Sequence, residues 1–266
     1  MSWSKVAFGA VKCAKGVAEH EAALTTALKS GITVVDTSAN YMGGNSELMV
    51  GEVVDRWRVS GGGEDKRLTV VSKFGYASAG SKLPGGAQVA PGLSHSLHPD
   101  FYRHQLLEST LRLGSTPINA YLVEHPEHHL AVKLGLVGED GVRNGGVAAA
   151  PPASQARLDE ARGSFYDEMT TLFQAMEGQA GGGGGDGGGV AYGVSSAGLS
   201  LPSGDPMHVS WEKLVECAEL AASRAGRGRH SFSVVQMPAN LLETIGLAAA
   251  PAMQKAGLKA RISPYL

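Results

Sequence analysis

The fold is decided by the stretch Val34-Val35-Asp36-Thr37-Ser38-Ala39-Asn40-Tyr41, which Gly43, Gly44, Ser46 and Glu47 follow. An apolar strand delivers an aspartate at its end, and five residues later a tyrosine stands in a glycine-rich loop. A second apolar strand, Leu68 to Lys73, ends in a lysine. A buried ammonium between a carboxylate and a phenol can make the phenol a proton donor. This stretch therefore predicts both a buried parallel strand and a reactive tyrosine.

Strands and helices alternate along the rest of the chain. Short apolar runs rich in β-branched residues predict buried parallel strands at 32–37, 68–74, 118–124, 190–196, 232–238 and 259–264, with a further short one at 6–8. Apolar stripes predict helices at 19–30, from Ser46 as N-cap, at 100–113, around 165–176, after Ser210, and at 244–256, where Pro251 should break or restart the helix.

This alternation implies a parallel sheet covered by helices, either a barrel or an open doubly wound sheet. In both layouts the chemistry gathers at the carboxyl ends of the strands. Six polar residues lie at or near such ends: Asp36, Lys73, Glu124, Ser195, Gln236 and Ser263. We therefore expect them to belong to one site.

Three segments look irregular. Residues 77–99 form a Gly/Ser/Pro-rich loop, functional or mobile by its length, whose His95 and His98 we interpret as solvated or substrate-lid residues. Residues 135–161 look like a Gly/Ala-rich insertion. The glycine tract 181–189 is typical of a flexible linker and lacks the ending of a phosphate loop. The prediction is one domain over residues 1–266.

Composition excludes several classes of function. The 266 residues carry a net charge of −2, which gives no support for nucleic-acid or membrane-surface binding. The two cysteines, Cys13 and Cys217, indicate a reducing compartment. The chain shows neither a signal pattern nor a run long enough to span a bilayer. A cytoplasmic location is expected, with organelle import left open.

Several motifs in order resemble the aldo-keto reductase family. They are Gly31 to Tyr41 with Ser46-Glu47, Leu106 to Gly114, Ile118 to Pro126, Tyr192 to Ser196, and Val234 to Leu242. The resemblance implies a (β/α)8 TIM barrel that uses a nicotinamide cofactor, usually NADPH, with NADH as the open alternative. The chain stops after the seventh strand that the family would have, so the expected barrel is incomplete, without the last strand and helix.

The resemblance also implies a catalytic set. Tyr41 would be the general acid that protonates the substrate oxygen; a free phenol, with a pKa of about 10, donates poorly at neutral pH. Lys73 would stabilise the phenolate, and Asp36 would hold Lys73 charged and oriented. Positioned proton transfer contributes about 10²–10⁴-fold.

The fourth member of the set departs from the family pattern. Glu124 occupies the slot where the family usually has histidine, and His125 is its neighbour. Glutamate there resembles the steroid 5β-reductase branch, which reduces a carbon–carbon double bond, and a neutral buried Glu124 could donate to the substrate oxygen. Alternatively Glu124 stays ionised and pairs with Lys73. His125 could take the histidine role only with a local backbone distortion, because neighbouring strand residues point to opposite sides.

Cofactor contacts carry over in part. Ser195, Ser196 and Gln236 match the residues that hold the nicotinamide carboxamide in the family, although the family has asparagine at the position of Ser196. Ser263 lies in the strand that usually supplies a ring under the nicotinamide, and Ile262 would replace that ring. His128 and His129 lack further convergent ligands, so no metal site is expected.

We therefore expect an NAD(P)H-dependent oxidoreductase that reduces a small aldehyde, ketone or enone, with the oligomeric state open. The alternatives are a regulatory or nucleotide-binding barrel with little turnover, or an inactive fragment. A truncated chain, a degenerate protein and an open barrel completed by another chain would each explain the missing end.

Overall fold

The computed structural model describes residues 4–61, 68–78, 84–138, 141–142, 154–180 and 190–263. They fall into two compact units. The first unit comprises Met1–Phe74 and Arg103–Leu122, and the second comprises Gly75–Tyr102 and Val123–Leu266. The predicted glycine linker at 181–189 lies outside the described residues, and the assignment of the whole chain to one domain stays a prediction.

The first unit begins with alternating strands and helices. In chain order these are β1 (Phe8–Gly9), α1 (Ala18–Lys29), β2 (Val34–Asp36), α2 (Asn45–Val59) and β3 (Thr69–Phe74). The three strands are parallel neighbours, with Phe8 opposite Val35 and Val34 opposite Thr69. Every residue of β2 and β3 is buried, as expected for strands covered on both faces. The predicted strand and helix order is confirmed here, with shorter strands.

The second unit opens with a small antiparallel sheet. It contains β4 (Tyr76–Ser78), β5 (Gly86–Ala90) and β6 (Leu93–Ser96), with β6 in the middle. The prediction that residues 77–99 lack regular structure was wrong. Pro91 and Gly92 join β5 to β6, and Gly92 has the positive φ of 75° that the third residue of a type II turn requires.

The two segments that follow, α3 (Pro99–Leu113) and β7 (Ala120–Glu124), contribute residues to both units. The remaining elements belong to the second unit. They are α4 (Glu127–Leu134), β8 (Val137–Gly138), β9 (Gly141–Val142), α5 (Gln155–Gln179), β10 (Ala191–Ser195), α6 (Trp211–Arg224), β11 (Phe232–Pro238), α7 (Ile245–Lys255) and β12 (Lys259–Ser263).

Within the second unit, β10, β11 and β12 are parallel neighbours in chain order. The short strands β8 and β9 pair antiparallel inside the segment predicted as an insertion, and α5 already begins before that segment's predicted end. The apolar stripe of α5 is buried as predicted: Phe165, Met169, Leu172, Phe173 and Met176. None of the described helices combines the length and apolar character of a membrane-spanning segment.

Helix ends test the capping predictions. Ser210 caps α6 as predicted, since its Oγ accepts from Lys213 N at 3.1 Å. Ser46 was wrongly predicted as a cap: α2 begins at Asn45, and Ser46 Oγ donates instead to Ala10 O at 2.8 Å.

The predicted break in the last helix was also wrong, because α7 runs through Pro251. Proline removes the hydrogen bond to the carbonyl four residues earlier, and its ring crowds that carbonyl. That residue, Leu247, is exposed, so water can satisfy its carbonyl.

Candidate active site

The first unit brings together Asp36, Lys73 and Tyr41. Lys73 is fully buried, and its Nζ donates to Asp36 Oδ1 at 2.6 Å and to Tyr41 Oη at 2.8 Å. It also donates to the carbonyl of Thr37 at 3.0 Å. An ammonium has three N–H donors, so each can be assigned to one of these acceptors. The arrangement places a buried positive charge directly against a phenol oxygen.

Strand register explains this convergence. Asp36 ends β2 opposite Val71 of β3, and Lys73 lies two residues further along β3. The chain stays beside β3 after β2 ends, because Thr37 N donates to Val71 O and Ala39 N donates to Lys73 O. Side chains two residues apart on a strand share a face. The strand pattern predicted that both residues lie near strand ends, and the family resemblance predicted that they pair.

Tyr41 stands on a strained turn. It opens a short 3-10 turn, Tyr41–Gly44, in which Met42, Gly43 and Gly44 have φ values of 51°, 62° and 88°. A methionine in this left-handed region costs free energy that glycine does not pay. Lys73 Nζ lies 4.5 Å from the centre of the Tyr41 ring. The turn therefore carries Tyr41 back over the end of β3.

Glu47 has a structural role that the sequence analysis did not identify. Its side chain is fully buried, accepts from Ser72 Oγ at 2.5 Å and pairs with Arg112 Nε at 2.6 Å. Arg112 in turn packs close to Gly44, where a Cβ would lie 2.9 Å from Arg112 Cδ. Glu47 thus ties α2 to β3 and α3 just beyond the turn that holds Tyr41.

In the second unit, the end of β7 carries Glu124 and His125. Both residues are buried, and the carbonyl of Glu124 lies 2.6 Å from His95 Nε2. His125 has a φ of 47°, a local backbone distortion of the kind that it would need to take the histidine role. His125 N donates to Ser195 O at 2.7 Å, so the chain bends beside the end of β10. The catalytic roles of Glu124 and His125 stay predictions.

Glu127, at the start of α4, was missed by the sequence analysis. Its carboxylate is 1% exposed and accepts from Ser196 Oγ at 2.6 Å and Ala197 N at 2.9 Å. His125 Nδ1 lies 3.0 Å from its Oε1. We call these contacts the Glu127 clasp, since they join the turn after β7 to the turn after β10.

The clasp determines the charge of Glu127. Burial alone would raise the pKa of its carboxyl group. The charge and hydrogen bond of His125, the charge of His128 and the hydrogen bond from Ser196 outweigh burial and lower that pKa to about 2. Glu127 is therefore ionised at neutral pH.

Several histidines lie close to Glu127 and to the end of β7. His95 in β6 is fully buried and was wrongly predicted as solvated or part of a lid. A Cβ at Gly75 would lie 2.4 Å from His95 Nε2, so only glycine allows His95 to reach the end of β7. Burial, with the nearby His129, lowers the pKa of His95 well below its usual value. Tyr76 Oη lies 3.1 Å from His128 Nδ1.

The residues predicted to contact the cofactor lie at the ends of three neighbouring strands. Ser195 of β10 is opposite Gln236 of β11, and Ser263 of β12 is opposite Pro238. Ser195 Oγ is buried and, among the described residues, has no hydrogen-bond partner. Ser196 Oγ donates to the Glu127 clasp, which leaves its lone pairs as acceptors.

A groove of about 540 Å³ lies elsewhere, between α5 and α6. It occupies the outer helices rather than the carboxyl ends of strands, and none of the predicted site residues lines it. Residues that line it include Arg162, Gly163, Tyr166, Lys213, Cys217 and Leu220. We assign no reaction to it.

Comparison with known proteins agrees with the fold described above. The sequence model of the Aldo/keto reductase family matches residues 5–170. A search of curated proteins found no significant match.

Three solved structures share the fold. A glycerol dehydrogenase of Gluconobacter oxydans is 19% identical, with a TM-score of 0.55 over 98% of this chain and 60% of its own. The holo form of an aldo-keto reductase of Bacillus halodurans is 15% identical, with a TM-score of 0.56 over 98% of this chain and 62% of its own. An aldo/keto reductase of Klebsiella pneumoniae, in complex with NADP and acetate, is 16% identical, with a TM-score of 0.52 over 97% of this chain and 62% of its own.

The chain therefore spans about three fifths of the length of these structures. The predicted α/β class, an incomplete (β/α)8 barrel, is confirmed.

Proposed function

The chain belongs to the aldo/keto reductase family, and we propose that it reduces the carbonyl group of a small aldehyde or ketone, or the double bond of an enone, with Tyr41 as the proton donor. The contact between Lys73 Nζ and Tyr41 Oη, at 2.8 Å, is the observation that carries this proposal. It supplies the phenol with the buried positive charge that proton donation at neutral pH requires.

The proton transfer follows from this contact. The substrate oxygen gains negative charge as its carbon accepts hydride, and Tyr41 Oη gives its proton to that oxygen. The phenolate left behind faces the Lys73 ammonium, which Asp36 holds from the other side at 2.6 Å. Because Lys73 is fully buried, water does not screen this charge and its effect on the phenol is strong.

The proposed hydride source is NADP(H), the cofactor of the family, with NAD(H) as the alternative. The Klebsiella relative binds NADP. A nicotinamide carboxamide offers two N–H donors and one acceptor, and the buried Ser195 Oγ, beside Gln236 in the strand register, fits such a group. Ser196, just after β10, and Ser263, at the end of β12, are proposed as supporting contacts to the cofactor.

The roles of Glu124 and His125 complete the proposal. We assign Glu124 to the substrate oxygen, in the slot of the family histidine, and keep His125 as the alternative. The proposed partners are a small carbonyl compound or enone and the cofactor, without nucleic acid or membrane, in the cytoplasm.

The experiment measures NADPH oxidation by the purified chain with a panel of aldehydes, ketones and enones. Tyr41→Phe should lower kcat by about 10²–10⁴-fold, because it removes one positioned proton donor, while NADPH still binds. Tyr102→Phe is the matched control, because it removes the hydroxyl of a buried tyrosine that lies in α3 and not in the turn that holds Tyr41. Cofactor binding without turnover would instead support a regulatory barrel, and the absence of binding would support an inactive fragment.

A further inference from the structure

The second unit contains a buried cluster of His125, Glu127 and His128. Each residue offers one ligand atom, and these three atoms lie within 4.8 Å of one another. The three residues are 8%, 1% and 7% exposed. Two imidazoles and one carboxylate form a ligand set that zinc uses in proteins, with a fourth position left for water. The sequence analysis discounted His128 because the backbone bend that adds His125 and Glu127 was not foreseen.

Charge points to a cation at this position. Glu127 is buried, and among the residues that the structure describes no lysine or arginine pairs with it. Its neighbours of potential positive charge are histidines, His125 and His128, and His125 Nδ1 lies 3.0 Å from Oε1. A buried carboxylate is costly unless it is paired with a cation or coordinates a metal.

We infer that His125, Glu127 and His128 bind a divalent transition-metal ion, with zinc as the ion that this donor set suits best. This inference does not depend on the proposed reductase activity.

The distances suit a shared ion. Ligand atoms bound to one tetrahedral zinc at about 2.0–2.2 Å lie about 3.3 Å apart. The separation of His125 Nδ1 and Glu127 Oε1 is 3.0 Å, so a metal can replace the proton between them with little movement. A shift of the His128 ring would bring it in as the third ligand. That ring is now stacked on the His125 ring, with centroids 5.2 Å apart and an interplanar angle of 15°.

Outer contacts already hold the ligands in place. Ser196 Oγ and Ala197 N donate to Glu127, and Tyr76 Oη lies 3.1 Å from His128 Nδ1. In the tautomer in which Nδ1–H donates to Tyr76 Oη, the lone pair of His128 lies on Nε2 and is available to a metal. Metal-binding histidines usually have such a partner on the other ring nitrogen, and loss of it weakens binding about 10–100-fold.

The test titrates Zn²⁺ into the chelator-treated full chain by calorimetry and Co²⁺ by visible absorption. We expect one saturable Zn²⁺ per chain and a tetrahedral Co²⁺ spectrum. His128→Ala should weaken Zn²⁺ binding at least about 10-fold and abolish the Co²⁺ spectrum, since it removes a direct ligand. His104→Ala, at an exposed histidine of α3, is the matched control and should leave both signals unchanged.

Two outcomes overturn the inference: the absence of saturable binding, or binding that His128→Ala leaves intact. Unfolding of each variant is followed by circular dichroism. Should His128→Ala fail to fold, Tyr76→Phe replaces it, with about 10–100-fold weaker Zn²⁺ binding expected from the lost outer contact. Unchanged affinity in folded Tyr76→Phe then counts against the site.

Discussion

Two glycines in helix interiors, Gly51 of α2 and Gly163 of α5, make a matched pair for a stability experiment. Each is replaced by alanine. In an unobstructed helix this change stabilises by about 0.5–1 kcal/mol, because alanine loses less backbone entropy on folding. A Cβ at Gly163 would meet no atom within 4 Å, so Gly163→Ala should show that full gain.

Gly51 differs because it packs against the end of α3. Its Cβ would lie 2.6 Å from Leu113 O, 2.9 Å from Leu113 C and 3.0 Å from Leu113 Cα. These are backbone atoms, so α2 and α3 must separate, and such overpacking costs about 1–3 kcal/mol. After subtracting the helix gain, Gly51→Ala should range from neutral to about 2.5 kcal/mol destabilising. The two substitutions should therefore differ by about 1–3 kcal/mol.

Urea unfolding followed by circular dichroism measures both variants against the parent chain. The midpoint should rise for Gly163→Ala and stay or fall for Gly51→Ala, with slopes unchanged. Equal stabilisation by the two substitutions would refute the close approach of α2 to Leu113.

Three further predictions concern the site and its surroundings. Glu124→His should raise carbonyl reductase activity, measured as NADPH oxidation; no change in an otherwise active protein would remove Glu124 from the site. Ser195→Ala should weaken NADPH binding by about 2–10-fold, the worth of one hydrogen bond, measured by nicotinamide fluorescence with Ser164→Ala as the exposed control. Glu168→Gln should lower stability by less than about 1 kcal/mol at pH 7, because the ion pair of Glu168 with Lys133 is partly exposed. Burial alone would raise the folded-state pKa of Glu168 above its ordinary 4.5. The hydrogen bonds and charges of His129 and Lys133 outweigh burial and lower that pKa. Its contribution is thus full above the unfolded pKa, and the difference from Glu168→Gln in urea titrations should vanish as pH falls through the folded pKa. A difference that persists at acid pH would contradict that assignment.

The contact among Asp36, Lys73 and Tyr41 was predicted from the family resemblance, and the strand pattern of the sequence supported it. Asp36 ends β2 and Lys73 lies one residue before the end of β3, parallel strands end at the same edge, and the glycines after Tyr41 allow the left-handed turn. The apolar-run pattern predicted every parallel strand among the described residues, with errors of at most two residues at the ends.

The role of Glu127 could not be predicted because its partners in the turn after β10 lie about 70 residues away in the chain. An acidic residue in the first turn of a helix usually faces solvent and interacts with the helix dipole. Only the packing of the turn after β10 against α4 makes it a buried anion.

The small sheet at β4 to β6 was missed for another reason: its signal, Pro91-Gly92 between two short runs, was present but was obscured by surrounding glycines and serines.

The Glu127 clasp has a consequence for combinatorial mutagenesis. Because one carboxylate receives hydrogen bonds from both turns, Ser196 and His125 report on a single shared acceptor. Substitutions there should show epistasis: the second loss should cost less than it does alone, because the first has already released the carboxylate. Libraries that vary these positions one at a time would therefore overstate the penalty of changing them together.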